Sequence, residues 1–97
     1  MSLPVSFKPT FYKAFDQLTN KDQILVLKTL SALNHYFQQG TAPYGLRIKK
    51  LHSGGSAKTF EARISLDLRL IWVQTNQKII FSLLGNHADV KKFFKNL

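Results

Sequence analysis

The 97 residues of this chain carry 14 Lys and Arg against 5 Asp and Glu, for a formal net charge of +9, and 44% of them are hydrophobic. This composition excludes intrinsic disorder, and the length predicts a single domain over residues 1–97 with one modest core. Because cysteine is absent and the three histidines are scattered, we expect no disulfide, no metal site and no cofactor.

The charge excess favours a polyanionic partner, nucleic acid first and an acidic protein second. Lysines that only keep a small protein soluble are the alternative. The chain does not open with a basic region followed by an apolar block, and no stretch approaches the ~18 apolar residues of a membrane span. We therefore expect a cytoplasmic protein without a membrane partner.

The first half of the chain predicts a short strand and two helices. The apolar run from Val5 to Phe7 is closed by Pro9, which suits the first turn of a helix. Asn20 is expected to cap a second helix from Lys21 to Gln39, and Gly40 can end it. The first helix should end near Asn20, and its apolar face repeats at i, i+3, i+4 and i+7 in Phe11, Ala14, Phe15 and Leu18.

The second half predicts an antiparallel meander, because its loops are too short for parallel crossovers. A loop containing Gly54 and Gly55 follows the first of four short strands. The fold class is therefore α+β, with two N-terminal helices on an antiparallel sheet of about four strands and a short C-terminal helix. The strands are expected near Leu46–Leu51, Thr59–Ile64, Leu68–Gln74 and Lys78–Leu84.

The strands expected near Thr59–Ile64 and Leu68–Gln74 form a hairpin, and matching their apolar faces fixes its register. Arg63 then faces Arg69, and two guanidinium groups directly across a strand pair repel. Glu61, one pleat away, is the acid positioned to compensate. The matched pairs are Ile64 with Leu68, Ala62 with Leu70 and Phe60 with Trp72, around a turn at Ser65 to Asp67.

Two interpretations of this charged face compete. Glu61 can bridge the arginines in a solvated network of little net stability. Alternatively, Arg63 and Arg69 form a phosphate cradle, because guanidinium forks match phosphate oxygens. The net charge favours the second interpretation.

The stretch GNHADV predicts the start of the last helix. Asn86 can cap this helix with Asp89 at its third position. His87 falls in the first turn, where a histidine is commonly a polar surface residue but is also a candidate general base. The apolar stripe that follows is Val90, Phe93, Phe94 and Leu97.

In their order and spacing, the segments GLRIKKL, FEARI, DLRLIW and LLGNHADV resemble the RelE/ParE superfamily of small bacterial and archaeal toxins, over nearly the whole chain. The element RLIW and the ending Gly-x-His-x-x-Val are the most specific. The resemblance implies a toxin of a type II toxin–antitoxin pair, neutralised by an acidic antitoxin. For RelE-like members it implies metal-independent endoribonuclease activity on mRNA, often on the ribosome.

The resemblance also implies roles for individual residues. Arg69 matches the sheet arginine that stabilises the phosphate, and Arg63 and Glu61 fall where relatives place basic or acid/base groups. His87 falls where several relatives have a histidine or arginine, which leaves the acid and base assignments open. The basic residues expected to hold RNA phosphates are Lys49, Lys50, Lys91 and Lys92.

The sequence departs from that family in two places. Many nuclease members have a tyrosine near this C-terminal site, where this chain has Lys91, Phe93 and Phe94. Glu61 replaces a lysine of some relatives. A ParE-like toxin that inhibits DNA gyrase without the nuclease residues, or a detoxified binding protein, is therefore the alternative function.

Overall fold

The computed structural model describes residues 3–42 and 44–95. Within them, three helices, five strands and a 3-10 turn at Tyr44–Leu46 confirm the predicted α+β class. None of the helices in this part of the chain is long and apolar enough to cross a membrane. The elements are β1 Val5–Phe7, α1 Pro9–Asp16, α2 Asn20–Gln39, β2 Lys49–Gly54, β3 Ala57–Arg63, β4 Arg69–Gln74, β5 Ile79–Gly85 and α3 His87–Lys95.

The strands form one mixed sheet in the order β1-β5-β4-β3-β2. Strands β2 to β5 form the predicted antiparallel meander. The fifth strand is β1, which lies parallel to β5 with Val5 opposite Ile79. The strand at Val5 to Phe7 is predicted by its apolar run, but the expected sheet of about four strands omitted it, because a local pattern does not reveal a partner so distant in sequence.

The ends of the two N-terminal helices differ slightly from the prediction. Thr19, not Asn20, caps α2, because its hydroxyl accepts a hydrogen bond from the Asp22 N–H at 3.2 Å. At the other end, Gly40 takes the left-handed conformation at φ 79°, as expected for a helix stop. Helix α1 ends at Asp16, earlier than predicted.

The register of the β3–β4 hairpin is confirmed. Arg63 pairs with Arg69, and Phe60 pairs with Trp72. The Leu68 carbonyl accepts hydrogen bonds from the N–H groups of Ile64 at 2.9 Å and Ser65 at 3.1 Å, which closes the three-residue turn. Alternate residues of one hairpin therefore divide into an apolar face and a charged face.

The apolar face carries the core. Trp72 is 1% exposed, stacks on Phe60 with ring centroids 5.3 Å apart, and meets the edge of Phe37 from α2 at 5.5 Å. Phe11 of α1 and Phe81 of β5 extend this aromatic cluster. Helices α1 and α2 therefore cover one face of the sheet and leave the other to α3.

Helix α3 begins with a reciprocal cap. The Asp89 N–H donates to Asn86 Oδ1, and the Asn86 N–H donates to Asp89 Oδ2, both at 2.9 Å. The predicted cap is therefore confirmed, whereas Leu97 of the predicted apolar stripe lies outside the described residues. Gly85 is required before the cap, because a Cβ there would lie 2.7 Å from Asp89 Cβ. These contacts fix His87 at the first position of the helix.

Candidate active site

A largely buried ion pair lies on the charged face of the sheet. Arg69 Nη1 donates to Glu61 Oε1 at 3.1 Å, and the two side chains are 16% and 7% exposed. Arg63 is the direct cross-strand partner of Arg69. Glu61 therefore compensates part of the charge of the arginine pair, in a mostly dry environment rather than in a solvated surface network.

The two arginines keep donors that no described residue accepts from. Nε of Arg63 and Nε of Arg69 are both buried without a hydrogen-bond partner in the described part of the chain. An unpaired buried donor costs about 1–3 kcal/mol, so such groups are uncommon in folded proteins. Their chemistry suits an oxyanion, which accepts several hydrogen bonds from guanidinium groups at once.

A cavity of about 420 Å³ brings these groups together with α3. His87 lies at its edge and is exposed, as expected for the first residue of a helix. All four residues predicted as catalytic, Arg69, His87, Glu61 and Arg63, line this cavity. The full lining is Lys49, Leu51, Glu61, Arg63, Arg69, His87, Val90, Lys91 and Phe94.

The four lysines predicted to bind phosphate divide into two pairs. Lys49 and Lys91 line the cavity, but Lys50 and Lys92 do not. Lys49 pairs with Glu61 across the sheet whereas Lys50 pairs with Phe60, so the two adjacent lysines point to opposite faces. Lys92, one position further around α3 than Lys91, lines a different cavity.

That second cavity, of about 730 Å³, is larger but has the opposite character. Asp22, Asp67 and Asp89 line it together with Lys92. Three carboxylates against one ammonium disfavour a polyanion. The smaller cavity, with four cationic side chains and one carboxylate, is therefore the better candidate for binding phosphate.

Three apolar residues of the smaller cavity were absent from the predicted site: Leu51, Val90 and Phe94. A register shift between Lys50 and His52 marks a β-bulge at Leu51, and strand alternation alone does not reveal it. The sequence places Val90 only in the apolar stripe of α3, and Phe94 in that stripe and near the C-terminal site, without a role for either. Their spacing of three and seven residues from His87 was the available signal that they share its face.

Histidine, aspartate and glutamate do not gather in groups of three or more suited to a metal ion, in residues 3–42 and 44–95. The groups that can act on a ligand in the smaller cavity are therefore the guanidinium groups of Arg63 and Arg69, the ammonium groups, the Glu61 carboxylate and the His87 imidazole. This set can bind an anion, stabilise added negative charge and move a proton.

No family model matches the sequence, and no curated protein matches it. Solved structures do resemble the fold. The archaeal RelE–RelB complex from Pyrococcus horikoshii matches with a TM-score of 0.69 and 18% identity, over 89% of this chain and 96% of that one.

Structures of two bacterial proteins match to a similar extent. An E. coli DinJ–YafQ complex gives a TM-score of 0.65 at 20% identity, over 92% of this chain and 98% of that one. A second structure of the E. coli DinJ–YafQ toxin–antitoxin complex gives 0.60 at 18% identity, over 93% and 98%. The YoeB dimer from Staphylococcus aureus gives 0.65 at 20% identity, over 90% and 99%. The predicted resemblance is confirmed for the fold: this chain has the fold of the RelE-like toxins.

Proposed function

We propose that this protein is the toxin of a type II toxin–antitoxin pair and cleaves mRNA as a metal-independent endoribonuclease. The observation that carries the proposal is the arginine pair, Arg63 opposite Arg69, on a rigid sheet in the same cavity as His87. The Nε–H groups of both arginines have no hydrogen-bond partner in the described residues. The RelE-like fold is consistent with this role.

In the proposed reaction, the 2′-hydroxyl of one nucleotide attacks the adjacent phosphorus. The O2′–P bond forms as the P–O5′ bond breaks, which leaves a 2′,3′-cyclic phosphate and a 5′-hydroxyl. Arg69 and Arg63 stabilise the negative charge that develops on the phosphorane oxygens. His87 is exposed at the edge of the cavity, where it can exchange a proton with the attacking or the leaving oxygen.

Lys49 and Lys91 extend the positive charge of the cavity and are proposed to hold neighbouring phosphates. Glu61 is the remaining titratable group of the predicted set. The apolar wall of Leu51, Val90 and Phe94 reduces access of water to one side of the cavity, which strengthens electrostatic interactions with a bound phosphate.

The proposed inhibitor is an acidic antitoxin that covers the basic cavity in the cytoplasm. The net charge of +9 favours a polyanionic partner. One of the structures with the same fold is a toxin–antitoxin complex. A short acidic protein encoded in the adjacent reading frame is the expected antitoxin, and its co-expression should abolish toxicity.

Cleavage of mRNA during translation in vitro tests the enzymatic proposal. Arg69→Ala and His87→Gln should each reduce cleavage by about 10²–10³-fold or more. His35→Gln is the matched control, because His35 is an exposed histidine of α2 away from the cavity. Equal cleavage by His87→Gln and His35→Gln would contradict the assignment of His87.

The wild-type protein separates the proposal from its alternatives. Intact mRNA together with arrested replication and trapped DNA breaks would indicate a gyrase inhibitor instead. Harmless overexpression with neither effect would indicate a detoxified binding protein. Either result would overturn the nuclease proposal.

A further inference from the structure

The contact between Glu61 and Arg69 assigns separate tasks to the acid/base candidates. We infer that Glu61 is a positioning residue that orients the guanidinium group of Arg69 for a phosphate and transfers no proton. This inference rests on the proposed function. It leaves His87 as the proton-transfer group of the predicted set.

The first observation is which nitrogen Glu61 engages. Its carboxylate accepts from Nη1 of Arg69 at 3.1 Å. In a guanidinium group Nη1 lies on the side of Cδ, whereas Nε–H and one N–H of Nη2 point together in the other direction. Glu61 therefore holds Arg69 by the nitrogen that does not belong to this parallel pair of donors.

The second observation concerns the Nε–H and Nη2–H donors of Arg69, which Glu61 does not engage. Nε of Arg69 is buried and has no hydrogen-bond partner in the described residues. Nε–H and Nη2–H have the spacing of two oxygens of one phosphate group. The ion pair therefore fixes the plane of the guanidinium group and leaves its bidentate edge unused by the described residues, so a phosphate that takes both donors must first displace the atoms that bury Nε.

The third observation concerns Glu61 itself. The residue is 5% exposed, and the only hydrogen bond of its side chain in the described part of the chain is to Arg69. With its carboxylate engaged by Arg69 and only 5% of the residue exposed, Glu61 has little access to the attacking or the leaving oxygen of an RNA. His87 is exposed at the cavity edge and has no such restriction.

The difference between the two arginines in their contact with Glu61 supports the same assignment. Arg63 and Arg69 are direct cross-strand partners, but among the described residues the Glu61 carboxylate hydrogen-bonds to Arg69 and not to Arg63. Neutralising one guanidinium group reduces the repulsion of the pair while the face stays cationic. A carboxylate in the middle of a phosphate site is therefore compatible with anion binding.

Three substitutions of Glu61 separate positioning from proton transfer. Glu61→Gln keeps the length of the side chain and an oxygen that accepts from Nη1, but it cannot act as acid or base. Glu61→Asp keeps the carboxylate but loses the reach of one methylene group. Glu61→Ala removes both the acceptor and the reach.

Single-turnover cleavage at saturating RNA should rank these variants. Glu61→Gln should lose at most about tenfold, whereas Glu61→Asp and Glu61→Ala should lose about 10²–10³-fold. The pH–rate profile of Glu61→Gln should keep the shape of the wild-type profile. A loss by Glu61→Gln equal to or larger than that of Glu61→Asp, with a changed pH–rate profile, would overturn the inference. Because Glu61→Ala is the variant most prone to unfold, the order of Gln and Asp decides the outcome.

A second measurement does not need nuclease activity. Arginine Nε–H resonances are recorded for the ¹⁵N-labelled protein, and Arg69→Lys assigns the signal of Arg69. This signal should be sharp in the wild type and in Glu61→Gln, broadened in Glu61→Asp, and shifted by added inorganic phosphate. An unchanged, sharp signal in Glu61→Asp would contradict positioning.

The two measurements distinguish the failure of each proposal. A wild-type protein that cleaves no RNA but shows the expected order of resonances would refute the nuclease and leave Glu61 as the residue that orients Arg69. An active wild type in which Glu61→Gln is inactive would preserve the nuclease and refute the positioning role.

Discussion

The two faces of the sheet are made by alternate residues of the same strands, yet one face is apolar and packed whereas the other is charged and borders a cavity. On one face Phe60 and Trp72 are stacked beneath two helices. On the other face Glu61 and Arg69 of the same two strands form a largely buried ion pair beside a cavity. The first face stabilises the protein, and the second concentrates charge at some cost in stability. One backbone thus separates folding from the proposed chemistry by the direction of the side chains.

The comparison is tested most severely by Trp72→Ala. Because Trp72 is 1% exposed and contacts aromatic rings on three elements, its loss should lower the free energy of unfolding by about 3–5 kcal/mol. Urea denaturation measures this change. The control is His87→Gln, which should leave the unfolding free energy within about 0.5 kcal/mol of the wild type. A large loss of stability in both would contradict the division of the two faces.

The junction between β5 and α3 is the next test. In Gly85→Ala the new Cβ would lie 2.6 Å from Asp89 Oδ2 and 2.7 Å from Asp89 Cβ, so the reciprocal cap must move. We expect a loss of about 1–3 kcal/mol in the free energy of unfolding.

Gly45→Ala is the matched control for Gly85→Ala, because a Cβ at Gly45 would meet no other described residue within 4 Å. Thermal unfolding followed by circular dichroism compares the two variants. Equal unfolding temperatures would show that α3 does not depend on close packing at Gly85.

Two helix caps offer a matched pair with a smaller effect. Asn86→Ala and Thr19→Ala each remove a side chain that accepts from the backbone of a first turn, and each should cost about 1 kcal/mol. Only Asn86 adjoins His87, so RNA cleavage should fall further in Asn86→Ala. Similar cleavage by the two variants would indicate that the first turn of α3 does not position His87.

The lysines on opposite faces provide the smallest expected effect. Lys49 lines the cavity and Lys50 does not, so Lys49→Ala should weaken RNA binding more. The slope of log affinity against log salt should become shallower by about 0.7 for one lost phosphate contact on a single strand. Fluorescence anisotropy at several salt concentrations measures this slope. A steeper loss in Lys50→Ala would place the RNA on the other face.

The sequence predicted the charged hairpin well because its information is local. Apolar residues alternate in both strands, so only one register buries them all, and that register places Arg63 opposite Arg69. The same alternation implies that Lys49 and Lys50 point to opposite faces, so the two lysines do not both line the cavity.

Other features depend on interactions that no local pattern contains. The pairing of β1 with β5 joins distant segments, and the bulge at Leu51 depends on how β2 meets β3. Thr19 and Asn20 are both good caps, so only the backbone conformation decides between them. Likewise, the sequence identified Glu61 as a compensating acid, but the choice of Arg69 Nη1 required atomic positions.

The position of β1 beside β5 also sets an order of events during synthesis. The Lys8 N–H donates to the Phe81 carbonyl at 2.9 Å, and the Thr10 hydroxyl donates to the Ser82 carbonyl, 72 residues further along. Strand β1 therefore cannot pair until β5 has been synthesised, and contacts between residues so far apart in sequence slow folding. His87 follows that fifth strand directly. A nascent chain on the ribosome thus has no assembled cavity until nearly all of these elements have emerged from the exit tunnel.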